Sequence, residues 1–581
     1  MSDAVRIEAA SASTSVATRL RVGWTAVAVG ALALGAGVYY SICGLLLHYS
    51  FHSYGWDLGI FDQVTWSIAH GHAFHYSFRD MQYLGDHFQP VLILLAPLVF
   101  LKFGPAPLLV VQGLAFGIAV VPLFAATRRL GGTVAAWGLS AAYVLSLGPA
   151  RAVSYDFHPE CFAPALAFTA LWALTARRPG VFVAACVALL PVKEDMTFLV
   201  LGLCWVSWLG FGERKPAQWV ALGTVAYLVV ISLAVMPLFN HGNSNPLIER
   251  YPYLGHTPRS IFLHAITRPD LIVDHLWNSD TPRTLGYLFA GTGFLALLRP
   301  KLLLPIVLLL LPPMLAVNDQ QRLLELHYGV VPYAFTFVVG AMVLESGYFD
   351  LLWRRVWRPA PPHPQEKRRT GDTPAPPATG LRPFALPVRL IAGLKDWVLE
   401  RPAVPPPAPL SSTATDKRSA GEERPGLAGG SGVGVVREGR FVLALSAVVV
   451  VLAFAVFAWE SPLPPSFAAD SSAFEVDHHS DVAETFVDLI PSNAVVSAQA
   501  NFVPHLSERY DIYEFPRITP KATFVLIDDG RGVPGYDAPA FADCRAKLPA
   551  FGFALARAED GIELWSRSAA DASALGSDGC G

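Results

Sequence analysis

Long apolar blocks recur along most of this sequence, and they constrain its fold more than any other feature. The blocks run for roughly 15 to 25 residues with few or no charges, which is the length of helix that crosses a hydrocarbon core of about 30 Å. Only 15% of the residues are charged, whereas soluble domains average about 25%. The sequence therefore predicts a polytopic α-helical membrane protein and excludes an ordinary soluble enzyme.

Eleven of the blocks are candidate transmembrane helices. The first follows Arg19 and Arg21, is too long for a secretory signal peptide and has no obvious cleavage site, so we expect it to be retained. A further apolar stretch, 89–103, contains Pro90 and Pro97 and is assigned separately. The candidate spans are residues 23–48, 106–127, 132–150, 161–176, 180–192, 196–212, 216–238, 285–298, 302–317, 329–346 and 441–458.

Basic residues predict the orientation of the chain, because cytoplasmic loops of membrane proteins carry an excess of Lys and Arg. If 89–103 does not cross the membrane, the basic clusters beside the spans all fall on the cytoplasmic side: Arg128/Arg129, Arg177/Arg178, Arg214/Lys215, Arg299/Lys301 and Arg354/Arg355. We therefore expect 89–103 to be a re-entrant or interfacial segment and the N-terminus to be cytoplasmic. The same assignment predicts that five loops lie on the outer face: 49–88, 151–160, 193–195, 239–284 and 318–328.

Changes of composition divide the chain into regions. Polar residues 1–18 predict a disordered cytoplasmic N-terminus, which is followed by a transmembrane domain over 19–352. Residues 353–440 are rich in Pro, Ala, Gly and Arg and predict a cytoplasmic linker. Within it, 389–401 has apolar residues at helical spacing and predicts a helix on the inner membrane surface.

The chain after the last helix, 441–458, has ordinary soluble composition. Short β-rich runs and one helical stretch over 470–581 predict a small extracytoplasmic α/β domain. Cys544 and Cys580 in this domain are either a disulfide or two unpaired thiols. The net charge of −3 provides no basic face for nucleic acid, so the lipid bilayer is the first expected partner.

Ionisable residues beside the spans are the candidate site, since charge at membrane depth is costly and tends to mark function. Asp57 follows the first span and precedes a predicted helix that ends near His70. It is placed either to cap that helix or to deprotonate a hydroxyl acceptor at the water interface. Asp62, in the same helix, is either a solvated side chain or the second candidate for the base.

Histidines in the first loop do not predict a metal site. The spacing of these residues matches no compact ligand motif, and no cysteine accompanies them: His70, His72, His75 and His87. Between two later spans, Asp156, His158 and Glu160 form an Asp-x-His-x-Glu element. It is suited to a divalent cation, the one candidate cofactor, or to hydrogen bonds with a sugar or a phosphate.

Two other loops combine charges of both signs. Lys193, Glu194 and Asp195 interrupt an otherwise apolar run. They either neutralise one another at a turn or hold a phosphate-bearing ligand, with the ammonium as counter-ion and the acids as hydroxyl acceptors. Arg322 and His327, in 318–328, suit a phosphate leaving group, and a capped interfacial turn is the competing interpretation.

The order of these motifs resembles the family catalogued as domain of unknown function 2079. The shared elements are WDLGIFDQ (56–63), which includes Gln63, Gly-x-His-Phe-x-Pro (85–90), a Gln-containing span ending in Arg-Arg (112–129), DFHPE (156–160), KED (193–195), VPHLSER (503–509) and IYEFP (512–516). The resemblance runs from Tyr54 to Pro516 without the linker. It implies a bacterial plasma-membrane protein related to the GT-C glycosyltransferases, which take sugars from polyprenyl phosphate or pyrophosphate carriers at the outer face.

The resemblance also implies roles for particular residues. GT-C enzymes place an essential acidic residue in the first outer loop, a position that Asp57 or Asp62 matches. They commonly have a second acidic cluster in a later loop, which Asp156 and Glu160 or Glu194 and Asp195 would supply. The first loop lacks the Asp-Asp or Asp-Glu pair of several GT-C families; Asp57 is the preferred base and Asp62 is the second candidate.

Together these observations lead to one hypothesis and two rivals. The hypothesis is an inverting glycosyltransferase that uses a polyprenyl-linked sugar and a cell-envelope acceptor. Asp57 is the base in this scheme, the lipid phosphate is held by Lys193, Arg322 and His327, and Gln63, His87 and the 156–160 and 194–195 acids orient substrate. His505 either folds the C-terminal domain over the site or is a structural histidine. The rivals are a transporter or flippase for a lipid-linked or small polar solute, and a non-catalytic scaffold whose C-terminal domain binds cell-envelope partners. A C-terminal domain folded away from the five loops would favour the scaffold.

Overall fold

Helices packed side by side form the N-terminal part of the protein. The computed structural model describes residues 3–79, 81–240, 246–345, 431–529 and 538–568. The predicted helix at 389–401 and most of the predicted linker lie outside these residues. The α-helices are α1 (Asp3–Tyr49), α2 (Ile60–Ala69), α3 (Tyr83–Asp86), α4 (Ala106–Ile118), α5 (Val120–Val144), α6 (Leu147–Val153), α7 (Phe162–Thr175), α8 (Pro179–Leu189), α9 (Met196–Phe211), α10 (Arg214–Val230), α11 (Met236–Phe239), α12 (Pro258–Thr267), α13 (Pro269–Leu276), α14 (Asp280–Ala290), α15 (Pro300–Leu303), α16 (Ile306–Met314), α17 (Asp319–Arg322), α18 (Val330–Val343), α19 (Ser431–Glu460), α20 (His478–Asp488) and α21 (Ala538–Lys547).

Short helical turns of other types connect these helices. Two are π-helical, Gly55–Gly59 and Ile231–Val235. The 3₁₀ turns are Pro90–Leu94, Ala96–Leu101, Pro159–Cys161, Pro246–Arg250, Leu295–Leu298, Leu326–Gly329, Ser471–Phe474, Val503–Leu506 and Leu548–Phe551. Because such turns are short and irregular, they allow the chain to change direction between apolar helices.

Five helical segments in the described chain are long and apolar enough to cross a membrane. The other predicted spans correspond to shorter helices, for example α7 with 14 residues, which extends roughly 21 Å. The count of eleven spans therefore stays a prediction. The five long segments are Gly23–Tyr49, Ala106–Val153, Arg214–Phe239, Asp319–Val343 and Phe441–Glu460.

Local backbone geometry explains two features of the predicted pattern. The segment Ala106–Val153 contains two predicted spans, and Gly132, with a φ of 84°, breaks the regular helix between them. The stretch 89–103 forms two short 3₁₀ helices, neither of which is long enough to cross a membrane. Its beginning is held by a hydrogen bond from the Val91 amide to the Pro191 carbonyl oxygen at 3.0 Å.

Helices α1 and α4 pack with their backbones in close contact, because glycines occupy the facing positions. A Cβ atom added at Gly117 would lie 2.3 Å from the Ala33 carbonyl oxygen, and one at Gly113 would lie 2.4 Å from Ser41 Oγ. Lipid tails are as apolar as leucine, so membrane helices associate through such close packing rather than through apolar burial. The glycines on α4 therefore determine how the first helix, and the loop after it, are placed.

The C-terminal domain is built on one mixed sheet, which confirms the predicted small α/β domain. The strands are β1 (Val496–Ala498), β2 (Ile512–Glu514), β3 (Phe524–Asp528), β4 (Ala554–Glu559) and β5 (Ile562–Ser566). Their spatial order is β2-β1-β3-β5-β4. Strand β1 is parallel to β2 and β3, and β5 is antiparallel to β3 and β4. Cys544 in α21 is disulfide-bonded, and Cys580, its partner in one of the two alternatives that the sequence left open, lies outside the described residues.

The core of this domain is continuous with the first loop, residues 49–88. Leu58 and Phe61 from that loop belong to the same buried cluster as Val503, Ile512 and Leu526 from the domain. The domain is therefore packed against the first loop, whereas a domain folded away from the loops would favour the scaffold hypothesis.

Buried hydrogen bonds fix the register of this contact. Gln63 Nε2 donates to the carbonyl oxygens of Arg509 and Tyr510 at 3.2 and 2.9 Å. Its Oε1 accepts from the Ser77 amide at 3.0 Å, and Ser77 Oγ accepts from the Ile512 amide at 3.0 Å. Because Gln63, Ser77, Arg509 and Ile512 are buried, loss of one of them would leave its partner unsatisfied.

Asp62 and His505 lie at the same contact. Ser507 Oγ donates to Asp62 Oδ2 at 2.7 Å, and burial together with nearby Glu508 raises the pKa of Asp62 well above its ordinary value. The His505 ring is stacked between Phe51 and His48, with ring centroids 3.9 and 4.1 Å away. Both residues therefore attach the C-terminal domain to the first loop.

A further hydrogen bond joins Glu514 at the end of β2 to the first loop. Trp56 Nε1 donates to Glu514 Oε1 at 3.0 Å. Burial raises the pKa of Glu514 to about 7, and the negative charge of Asp57 adds to the increase in spite of the hydrogen bond from Trp56. Ionisation of Glu514 above neutral pH therefore opposes the docked arrangement.

The packing of α1 on α4 predicts that Gly117→Val destabilises the protein. The new side chain overlaps the backbone of α1, and overpacking of this kind typically costs about 1–3 kcal/mol. We expect a melting temperature several degrees lower for the detergent-solubilised protein. Gly30→Ala is the matched control, because no heavy atom lies within 4 Å of a Cβ added at that position in α1. Equal melting temperatures for Gly117→Val and the native chain would contradict this account.

The Glu514 contact predicts a pH-dependent effect of Glu514→Gln. A carboxyl group whose pKa rises on folding binds more protons in the folded state, so its contribution to stability falls as the pH rises from its unfolded pKa to about 7. Glutamine cannot ionise. We expect the melting temperature of the variant, relative to the native protein, to become more positive between pH 5 and pH 8. A difference that stays constant over this range would refute the role of Glu514 ionisation.

Candidate functional site

The π-helical turn Gly55–Gly59 presents Asp57 to residues from later loops. The Asp57 side chain makes no capping hydrogen bond to a helix, so the capping interpretation is not what the structure shows. Instead, Asp57 Oδ1 is 3.0 Å from His158 Nε2, and the Tyr155 hydroxyl also bonds to Asp57. The carboxyl group is 23% exposed, whereas the His158 side chain is almost fully buried. Its contact with the buried His158 side chain therefore holds Asp57 in place, while part of its carboxyl group stays exposed at the surface.

The loop that contains His158 is fixed by a glutamine in the apolar helix α4. Gln112 Nε2 donates to the Asp156 carbonyl oxygen at 2.7 Å, and Gln112 Oε1 accepts from the His158 amide at 2.9 Å. Asp156 Oδ2 accepts from the Tyr54 amide at 2.9 Å, and Asp156 has a φ of 61°. Asp156 thus supports the turn that presents Asp57 and does not face the same partners as His158.

A buried ion pair continues the network away from Asp57. The His158 and His327 rings are stacked with centroids 3.6 Å apart, and His327 Nε2 lies 3.9 Å from Glu160 Oε1. Glu160 Oε1 also accepts from Lys193 Nζ at 2.5 Å, and both side chains are less than 10% exposed. We call these five residues the charged cluster: Asp57, His158, His327, Glu160 and Lys193.

The rest of the KED element extends the cluster. Lys193 Nζ is 4.0 Å from Asp195 Oδ2. Glu194 accepts from His87 Nδ1 at 2.8 Å and from the Phe88 amide at 3.0 Å. His87 therefore connects the first loop to the 193–195 loop.

The charges of the cluster keep its acids ionised. Burial tends to raise the pKa of Asp57, but His158, Tyr155 and Lys193 hold it below its ordinary value. Burial likewise opposes ionisation of Glu160 and Glu194, and their pKa values are nevertheless lowered, by Lys193 and His87 respectively. The pKa of Lys193 is raised by Glu160 against the effect of burial. Asp57 is thus available as a proton acceptor, as a general base must be.

Arg250 is a basic residue of the site that the sequence analysis missed. Its positive charge acts on His327 and Tyr328, and also on Tyr251 beside it. Within the residues that the structure describes, the half-buried Arg250 guanidinium forms neither a hydrogen bond nor an ion pair. It lies in a long loop where no sequence pattern distinguishes it from other exposed arginines.

Gln112 was missed as well, although a signal for it exists. It is the one polar side chain in the helix Ala106–Ile118, and polar residues within apolar spans tend to be functional. In the sequence, Gln112 stands out only as part of the family pattern over 112–129. Its two hydrogen bonds make it a positioning residue for the 156–160 loop.

Four predicted site residues lie away from the charged cluster. Arg322 pairs with Asp319 at 2.9 Å and Asp280 at 3.6 Å. Asp62, Gln63 and His505 belong to the contact between the first loop and the C-terminal domain. Geometry therefore favours Asp57 over Asp62 as the residue that meets the other loops.

The predicted metal ligands do not converge. Asp156, His158 and Glu160 each contact a different partner: a backbone amide, Asp57 and Lys193. Among the described residues, no group of three or more His, Cys, Asp or Glu side chains is arranged to hold a metal ion. The side chains that meet here form ion pairs and hydrogen bonds with one another.

Comparisons with known proteins give both structural and family matches. Crystal structures of ArnT from Cupriavidus metallidurans, bound to undecaprenyl phosphate and in the apo state, are similar at 13% identity and a TM-score of 0.44, over 94% and 95% of this chain and 99% of each matched chain. The archaeal oligosaccharyltransferase AglB from Archaeoglobus fulgidus, in complex with an inhibitory peptide and a dolichol-phosphate, is similar at 12% identity and a TM-score of 0.36, over 92% of this chain and 74% of the other. Curated proteins give no match.

The family match covers the charged cluster. The model described as "Predicted membrane protein (DUF2079)" matches residues 47–360, which is more than half of the 581 residues. The motifs at 503–509 and 512–516 lie beyond the matched range. All five residues of the charged cluster and Arg250 lie within it, and the chain belongs to the family of predicted membrane proteins DUF2079.

Proposed function

We propose that this protein is a membrane glycosyltransferase that moves a sugar from a polyprenyl phosphate or pyrophosphate carrier to a hydroxyl acceptor. The observation that carries the proposal is the charged cluster, in which a partly exposed, ionised carboxylate is connected through two histidines to a buried lysine. Its residues come from loops that the positive-charge pattern predicts on one face of the membrane. A site of this kind is accessible both to a lipid carrier and to a polar acceptor.

Asp57 is the general base in this proposal. It accepts the proton of the acceptor hydroxyl while the acceptor oxygen bonds to the anomeric carbon. The bond between that carbon and the carrier phosphate oxygen breaks, and the electron pair leaves with the phosphate. Attack opposite the leaving group inverts the configuration. His158 and Tyr155 hold Asp57 in position, and general base catalysis of this kind contributes roughly 10²- to 10⁴-fold.

Arg250 and Lys193 are the proposed groups for the carrier phosphate. Lys193 is already paired with Glu160, so its charge is largely compensated in the absence of substrate. Arg250 has no such partner among the described residues, and guanidinium groups bind phosphate oxygens in a bidentate manner. Arg322, the arginine that the sequence predicted for this role, is compensated by two aspartates. Arg250 therefore replaces Arg322 in the proposal. His327 keeps the role that the sequence predicted for it, next to the carrier phosphate.

The base assignment predicts that Asp57→Asn abolishes transfer. Asparagine preserves the size of the side chain but cannot accept the proton, so transfer should fall by at least about 100-fold. The measurement is the pool of lipid-linked sugars and envelope glycans in cells that carry only the variant, at equal protein level. Asp270→Asn is the control, because Asp270 is an exposed carboxylate in the first turn of α13 and pairs with Arg268. Unchanged pools in Asp57→Asn cells would exclude Asp57 as the base.

The phosphate assignment predicts that Arg250→Ala weakens binding of the protein to undecaprenyl phosphate, which serves as the probe. A hydrogen bond to a charged group contributes about 1.5–3 kcal/mol, so the Kd of the full chain in nanodiscs should rise about 10- to 100-fold. Binding of undecaprenol, which lacks the phosphate, should not change. Arg259→Ala, on the exposed surface of the same loop, should bind like the native protein. An unchanged Kd for Arg250→Ala would show that the phosphate is held elsewhere.

A further inference from the structure

Trp56 is an exposed aromatic residue directly beside the candidate base. Its side chain is 46% exposed, although it precedes Asp57 in a turn whose glycine and leucine residues are buried. Part of the ring surface is therefore left uncovered by the protein. Because Trp56 lies next to Asp57, the uncovered part of its ring is available to a ligand of the proposed reaction.

Three neighbours hold the ring in one orientation. The indole Nε1 donates to Glu514 Oε1 at 3.0 Å. The Phe78 ring packs edge-on against it at 5.5 Å, and the Arg79 guanidinium lies 5.6 Å from its centroid. Arg79 is in turn paired with Asp86 at 3.4 Å. A ring fixed before binding loses little conformational entropy when a ligand stacks on it.

The surrounding groups determine which ligand chemistry fits. A cationic ligand is disfavoured, because Arg79 already occupies the cation position over the ring. An anionic ligand is disfavoured by Asp57, which stays ionised next to the ring. A neutral ring with an apolar C–H face and hydroxyl groups at its edge satisfies both conditions. Its C–H face stacks on the indole, and its hydroxyls reach the carboxyl and guanidinium groups at the rim.

We propose that Trp56 is the stacking platform of an acceptor subsite that binds a sugar ring, with Glu514 and Arg79 at its rim. This inference rests on the proposed function, since it identifies the acceptor of the Asp57 reaction as carbohydrate. It also assigns a role to the C-terminal domain. The domain supplies Glu514, the hydrogen-bond acceptor that orients the platform beside Asp57.

The experiment is saturation-transfer NMR on the full chain in nanodiscs, with a panel of neutral methyl glycosides as probes: those of glucose, galactose, mannose, arabinose and N-acetylglucosamine. We expect at least one glycoside to receive saturation from the native protein and to lose at least about 80% of that signal with Trp56→Ala, a loss that follows from removal of the stacking face. Trp277→Ala is the matched control, because Trp277 is 87% exposed in another loop, and it should keep the signal. No signal for any glycoside with the native protein, or a signal that survives Trp56→Ala, would overturn the proposal.

A second variant separates the platform from the docking contact. Trp56→Phe removes the hydrogen bond to Glu514 and keeps an aromatic face, so it should retain the glycoside signal within about 3-fold if stacking dominates. Loss of the signal in Trp56→Phe as complete as in Trp56→Ala would overturn the platform. Fluorescence quenching by brominated lipids that disappears in Trp56→Phe would also overturn it, by placing Trp56 in the bilayer. Undecaprenyl phosphate binding, measured in parallel, should be unchanged in both variants, so failure of the subsite is distinguishable from failure of the proposed function.

Discussion

The buried pair of Lys193 and Glu160 is the interaction on which the arrangement of the loops depends. Two opposite charges removed from water are tolerated only when their geometry is good and their other atoms find partners. The 2.5 Å contact between them joins the turn after α8 to the turn before α7. The pair therefore requires both turns to lie at the same level of the helical bundle. Once they do, His158 and His327 stack above the pair, and Asp57 completes the network.

The helical part and the C-terminal domain support this arrangement from two sides. Gln112 reaches from α4 to hold the 156–160 loop by its backbone. From the opposite side, the domain holds the first loop through Gln63, Ser77 and Asp62, with apolar packing around Leu58 and Phe61. Asp57 lies in the turn between these two supports. Its position is therefore set by the assembly of the whole chain and not by the loop alone.

The outcome for individual residues shows how far sequence reasoning extends. The sequence selects ionisable residues next to apolar spans because they are rare and costly there. The structure brings several of them together in or beside the charged cluster: Asp57, His87, Asp156, His158, Glu160, Lys193, Glu194, Asp195 and His327. The same rule also selects Arg322 and Asp62, which are equally unusual in sequence. In the structure, Arg322 pairs with Asp280, and Asp62 accepts a hydrogen bond from Ser507. This rule does not select Arg250, because a basic residue in a long polar loop is common in proteins. What distinguishes it is the effect of its positive charge on His327 and Tyr328, residues that tertiary packing brings near it.

The sequence alone determined that this chain is a helical membrane protein with a small α/β domain, and it determined which loops contain unusual charges. Both follow from local composition, since the length of an apolar segment and the presence of a charged residue beside it can be identified without any knowledge of tertiary contacts. Only the tertiary structure decided which of those charges meet. Residues more than 100 positions apart, such as Asp57 and His158, become partners because helices pack at angles and depths that depend on side-chain volumes along their whole length. The contact between Trp56 and Glu514, 458 positions apart, has the same origin.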